Sequence, residues 1–278
     1  MPVRKYVLTE KKIQERLAAG WGQLDAEEYH PFLRITDISS KGRVHLIANH
    51  RLGRQLHFLS DLEWYNYLVR LREKNAIDFR EQVALSRDVT RAIAAELGVE
   101  HPRDNQSDAH TMVMTTDLVV TYMGPRGPYH VAYFVKYKND LENNRVKEKL
   151  AIERRYWEEQ GIELVEFTEA DISEKLKRSL LWLSTHETLR FHSEPFPNYF
   201  KNLGDSIVAG LPNAPADMPF TKYMQELDRL GGLKLGEHLL VARHLLAKSV
   251  LSTDFEVDSV WFAPTGSFNV NTNEFEIE

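Results

Sequence analysis

The sequence contains no cysteine, which excludes disulfides, thiolate zinc sites and a cysteine nucleophile. No run approaches the roughly 18 apolar residues of a membrane-spanning helix. The opening stretch MPVRKYVLTEKK lacks the apolar segment of a signal peptide. A soluble, cytoplasmic protein with no membrane contact is therefore expected. Neither G-x-x-x-x-G-K-[ST] nor G-x-G-x-x-G is present, so nucleotide binding has no support. A serine nucleophile elbow is also missing, and the 11 histidines contain no H-E-x-x-H. His45, His50 and His57 have basic neighbours and read as surface or phosphate contacts rather than metal ligands.

Positive charge is also in short supply. The 35 Lys+Arg against 41 Asp+Glu leave a net charge of −6, which rules out a globally basic coat for nucleic acid. The distribution says more than the total. Residues 1–170 hold 25 basic and 26 acidic groups, residues 171–250 hold 10 and 9, and residues 251–278 hold none and 6. The acidic excess sits in the tail, so a polarised basic site elsewhere remains open. The tail itself is expected to repel DNA and to meet a basic surface on a protein partner, or else to be a solvated terminus.

What is present is enough for ordered cores. At 278 residues, with 42% hydrophobic and 10% aromatic side chains, the chain is long enough for one large or two ordinary domains. Residues 9–19 read as a helix with Thr9 as N-cap and Gly20 as stop. Residues 43–59 alternate as two strands about a turn at His50–Gly53. Residues 60–74 form the clearest helical pattern. Then come a strand at 80–85, a helix at 87–97 and a polar loop at 101–110. MVMTTDLVVTYM (112–123) and YHVAYFVKYK (129–138), separated by GPRGP, read as a hairpin. Helix 141–160 and strand 162–167 complete a β-α-β crossover. After about residue 170 the texture changes. Helices are expected at 171–189, 220–230 and 236–248, with a Pro/Gly-rich stretch at 192–219 and terminal strands around Pro264–Gly266. Helices followed by a hairpin suggest a winged-helix-like second domain, 171–278, after a first domain of 1–170.

The hairpin carries the chemistry. With its turn centred near residue 126, Asp117 and Lys136 should lie almost opposite each other. Both interrupt apolar runs, where a polar side chain is costly unless paired or functional. The Asp could hold a hard cation and the Lys could orient or activate water. An ordinary cross-strand ion pair explains the same spacing. Glu63 is a third candidate, although Ser60-Asp61-Leu62-Glu63 is also an S-x-x-E capping box. Glu81 and Gln82 could support the site from behind or mark a strand edge. Helix 141–160 mixes Arg145, Lys147, Lys149, Arg154 and Arg155 with five glutamates, and most of it reads as a solvated, paired face.

At these residues the sequence resembles a known family. GRVHLIANHRLGRQLHFLSDLEW (42–64), DFREQVAL (78–85), HPRD (101–104), TTDLVV (115–120), VKYK (135–138) and EKLAIERRYW (148–157) resemble TnsA, the restriction-enzyme-like endonuclease subunit of heteromeric transposases. The resemblance covers about residues 1–170. It implies an α/β, restriction-endonuclease-like PD-(D/E)xK core with a mixed sheet. It further implies Mg²⁺-dependent hydrolysis (with Mn²⁺ substituting) of the 5′ strand at the transposon ends. The implied partners are double-stranded end DNA, a TnsB-type transposase, and a TnsC-type ATPase meeting the C-terminal domain. Carried over by position, the catalytic set is Glu63, Asp117 and Lys136.

One position departs from the family pattern. Where the family has Gln two residues before the lysine, this chain has Phe134. Residue 134 shares a strand face with Lys136, and phenylalanine cannot ligate a cation. Either fewer metals are held, or the Val135 carbonyl and waters complete the shell around Glu63 and Asp117, or catalysis is impaired. Two further readings follow: a non-catalytic DNA-binding or scaffolding subunit of the same complex, and a standalone restriction-type endonuclease.

Overall fold

The computed structural model describes all residues except 1–7, 38–41, 104–111, 185, 187, 273, 274 and 278, so residues 104–110 of the expected polar loop lie outside it. The chain divides into two compact units, Met1–Asp171 and Ile172–Glu278.

In the first unit, α1 (Glu10–Ala18) starts at Thr9, whose side chain accepts from the Lys12 N–H. β1 (His45–Asn49) and β2 (Arg54–Phe58) form an antiparallel hairpin. α2 (Asp61–Leu71) follows at once, capped by Ser60. β3 (Ala76–Ala84), α3 (Arg87–Glu96), β4 (Thr115–Gly124), β5 (Gly127–Val135), α4 (Asn144–Glu159) and β6 (Glu163–Phe167) complete the unit. The main sheet has the order β3-β4-β5-β6. β4 is antiparallel to both neighbours, while β5 and β6 run parallel. This is a mixed sheet built around the β-α-β unit through α4. α4 begins three residues later than the sequence suggests because Asn143 caps it, its side chain accepting from the Arg145 N–H. Val83, Val119, Ala132, Ile152 and Trp157 form one core of the unit. His45 is bonded to Asp61 at 2.6 Å, and His57 Nδ1 accepts from the Ile35 N–H at 3.4 Å, so both rings are engaged within the fold.

The hairpin register differs from the expected one. Leu118 pairs with Tyr133 and Gly124 with Gly127. The loop is therefore two residues tighter than a pairing of Asp117 with Lys136 requires, and extending the ladder sets Asp117 opposite Phe134. Lys136 lies diagonally beyond it, still on the Asp117 face.

The second unit contains α5 (Glu174–Leu183), α6 (Tyr199–Gly210), α7 (Phe220–Leu230) and α8 (Glu237–Ala247), then a short ladder of β7 (Leu251–Ser252) and β8 (Asn269–Val270). α6 lies inside the stretch that reads as Pro/Gly-rich. Pro197 and Pro212 flank the helix rather than interrupt it, and Asn198 enters it with φ 64°. Of the expected wing, the described residues contain two paired residues per strand. Asp228 holds the α7–α8 corner: its carboxylate accepts from the Gly236 and His238 N–H groups at 2.7 and 2.9 Å and from His238 Nδ1 at 2.7 Å. Asp228→Ala leaves these buried donors unpaired and should lower the stability of the chain by about 3 kcal/mol in denaturant melts; a change under about 0.5 kcal/mol would contradict the role.

The acidic tail is anchored rather than free. Phe275 and Ile277 pack on the core of this unit, and a Cβ at Gly204 would come within 2.7 Å of Phe275. Deleting residues 270–278 would thus uncover apolar surface as well as remove charge. Charge-neutralising changes such as Glu276→Gln test a salt-dependent role more cleanly.

Candidate active site

The ends of three elements meet at one place. α2 brings Glu63 in its first turn, β4 brings Asp117 near its start, and β5 delivers Lys136 one residue past its end. These three side chains line a cleft of about 350 Å³ together with Gln82, Phe134, Lys149 and Glu153. Glu81 is not among the lining residues. It is fully buried, ion-paired to Arg54 at 2.9 Å and bonded to the His57 N–H at 3.0 Å, so it ties β2 to β3. Neighbouring residues on a strand face opposite ways, and this separates Glu81 from Gln82.

Glu63 is both cap and cleft residue. Its N–H donates to Ser60 Oγ at 3.2 Å, while its carboxylate accepts from Ser60 Oγ at 3.0 Å and from the Leu59 N–H at 2.9 Å. The capping box thus leaves the Glu63 carboxylate facing Gln82, whose Nε2 donates to it at 3.3 Å. Gln82 adopts φ 52° in mid-strand, an uncommon conformation for a residue other than glycine. That kink diverts its carbonyl to the Phe32 N–H at 3.1 Å. Its side-chain oxygen accepts from Thr115 Oγ1 at 2.8 Å, so Gln82 bridges Glu63 and β4.

Asp117 accepts from the Val135 N–H at 2.8 Å, which fixes its carboxylate across the hairpin. Lys136 Nζ stands 3.7 Å from the same carboxylate and donates to the Val135 carbonyl at 2.9 Å. The carboxylate of Asp117 is the main cause holding the Lys136 pKa above the usual lysine range. Phe134 is buried and points into the cleft, with the Lys136 ammonium 5.2 Å from its ring centre.

Sequence reasoning missed one acid. Glu153, which reads as part of a solvated face of α4, is 2% exposed. Trp157 Nε1 donates to Thr116 Oγ1 at 2.8 Å, and Thr116 Oγ1 donates to Glu153 at 2.7 Å, locking the carboxylate in place. The available signal was spacing: Leu150, Glu153 and Trp157 are three and four apart, on one face of the helix.

Burial and the Asp117 charge push both Glu63 and Glu153 up to about 8. Three acids, two of them held far above their ordinary range, are a set of hard oxygen donors that a divalent cation would relieve. Among the described residues, no group of three His, Asp or Glu side chains is gathered tightly enough to hold a cation by itself. Glu63, Asp117 and the Val135 carbonyl are the donors expected there from the sequence, and that carbonyl accepts from Lys136 Nζ at 2.9 Å.

A raised carboxylate pKa has a sign. The folded chain binds protons on Glu63 and Glu153 more tightly than the unfolded chain, so stability falls as pH climbs from the ordinary 4.5 to about 8. In the absence of divalent cations the melting temperature should decline across that window, and Mg²⁺ should raise it more at pH 8 than at pH 6. A pH-independent Mg²⁺ effect would contradict this. No helix among the described residues is long and apolar enough to cross a membrane.

The sequence is also similar to known proteins. The family model described as "TnsA-like endonuclease N terminal" matches residues 73–169, a span that contains Gln82, Asp117, Phe134, Lys136 and Glu153. The Escherichia coli protein named "Transposon Tn7 transposition protein TnsA" is 32% identical over 244 residues, 87% of this chain and 85% of that protein.

Proposed function

This chain belongs to the TnsA-like endonuclease family, and from that premise we propose that it cuts the 5′, non-transferred strand at transposon ends, with Mg²⁺, beside a TnsB-type transposase and a TnsC-type ATPase. The observation that carries this reading is the meeting of Glu63, Asp117 and Lys136 on one cleft. A bound Mg²⁺ would supply Lewis acidity toward the scissile phosphate and lower the pKa of the attacking water. The chain's own groups set the rest. Asp117, fixed by the Val135 N–H, and Glu63, fixed by Ser60 and Leu59, are the residues to hold the cation. Lys136 supplies positive charge where negative charge develops on the phosphate oxygens. Its placement is set by Asp117 and the Val135 carbonyl. Mn²⁺ should substitute. The second unit would contact the ATPase, in keeping with a winged-helix-like role.

Phe134 favours a second reading, a DNA-binding or scaffolding subunit that no longer cuts, because an apolar ring lines the cleft where a ligand is expected. A reconstituted excision assay with strand-resolved products separates the two. The nuclease reading predicts 5′-strand nicks that need both this chain and Mg²⁺. Excision lacking 5′ cuts, with 3′ cutting intact, would favour the scaffold. The isolated chain is expected to cut duplex DNA poorly, and robust solitary cutting would instead indicate a standalone endonuclease.

A further inference from the structure

The five cations of α4 are not used alike. Arg145 pairs with Glu148 at 2.5 Å, Lys147 with Glu142 at 3.7 Å, Arg154 with Glu166, and Arg155 with Glu159 at 2.9 Å. Lys149 differs: among the described residues it has no carboxylate partner, and its side chain lines the cleft that holds Glu63, Asp117 and Lys136. It stands one helical turn before Glu153, so the two share a face of α4. The cleft's other ammonium, Lys136, is already committed to Asp117 and to the Val135 carbonyl. Burial against the cleft, and after it the repulsion of Arg145 and Lys136, lowers the Lys149 pKa. A cation set against like charge, with no carboxylate partner among the described residues, is placed for an anion that arrives from outside.

We propose that Lys149 binds a non-bridging oxygen of the scissile phosphodiester or of the phosphate next to it on the same strand. This deepens the nuclease reading and rests on it for the identity of the anion. In this arrangement Lys136 serves the reacting water and phosphorus, whereas Lys149 seats the backbone so that the phosphorus reaches Asp117 and Glu63. The division of labour explains why one lysine is pinned by protein oxygens and the other is left open. Phosphate contacts of this kind fix register without reading bases.

The test uses Lys149→Ala and Lys149→Arg in the assembled transposase with a duplex carrying the transposon end. Lys149 lies on the helix surface, and alanine keeps the helix. Binding is measured without Mg²⁺ over a series of salt concentrations, and single-turnover 5′ cutting is measured with Mg²⁺. Lys149→Ala should weaken binding roughly tenfold, reduce the log–log salt slope by about 0.9 for one lost phosphate contact, and slow cutting by about 10–100-fold; Lys149→Arg should restore most of each. A methylphosphonate walked over the three phosphates around the cut should, at one position, make wild type and Lys149→Ala bind equally. Equal affinity, equal slope and equal cutting for Lys149→Ala would overturn the proposal, as would a binding gap that no methylphosphonate closes. If the wild type binds but never cuts, the nuclease reading falls, and the binding arm still decides whether Lys149 contacts phosphate.

Discussion

Replacing Asp117 by alanine or asparagine should lower Mg²⁺-dependent 5′-strand cutting by the assembled transposase at least about 1,000-fold, the several kcal/mol expected when a metal-holding carboxylate is lost. The two substitutions differ in their effect on the fold. Asp117 accepts the Val135 N–H at 2.8 Å, so alanine strands that donor and should cost about 1–2 kcal/mol. Asparagine keeps an oxygen there and should melt close to wild type. Cutting lost in both, with stability lost only in the first, separates chemistry from folding. Residual 5′ cutting within tenfold of wild type would remove Asp117 from the site.

Glu63 gives the second large effect, because one side chain does two jobs. Its backbone and carboxylate close a capping box with Ser60, and the same carboxylate faces the cleft. Glu63→Gln keeps an oxygen acceptor for the Leu59 N–H and removes a buried acid that repels Asp117. It should cut at least about 100-fold more slowly while melting at or above the wild-type temperature above pH 7. Glu63→Ala should lose cutting to the same degree and also about 1–2 kcal/mol of stability with the cap. Equal melting of the two variants would mean that the cap contributes nothing. Wild-type cutting by Glu63→Gln would leave Glu63 as a cap alone.

The capping box and the acid are visible in Ser60-Asp61-Leu62-Glu63, but spacing alone treats them as rival explanations. The structure makes them one, since a cap that satisfies the Leu59 N–H is what aims the Glu63 carboxylate. Asp117 and Lys136 were legible as polar residues breaking apolar strands. Their register was not, because two glycines and two prolines in GPRGP allow more than one turn, and the tighter one sets Phe134 rather than Lys136 opposite Asp117. Gln82 reaches the cleft through a backbone kink that composition does not encode. Glu153 is hidden by its neighbours, since glutamates and arginines crowd the same helix and only its spacing to Leu150 and Trp157 marks the buried face. In the second unit, proline content hid α6, because a proline just outside a helix and one within it count alike in composition.

Phe134 puts the most strain on the nuclease reading, and it leads to the decisive measurement. Crystals of the chain with transposon-end duplex, soaked in Mn²⁺, should show an anomalous peak between the carboxylates of Glu63 and Asp117, with the Phe134 ring left in place beside it. Density for the DNA with no anomalous peak at that position would contradict a metal-dependent nuclease and leave a subunit that holds the end without cutting it.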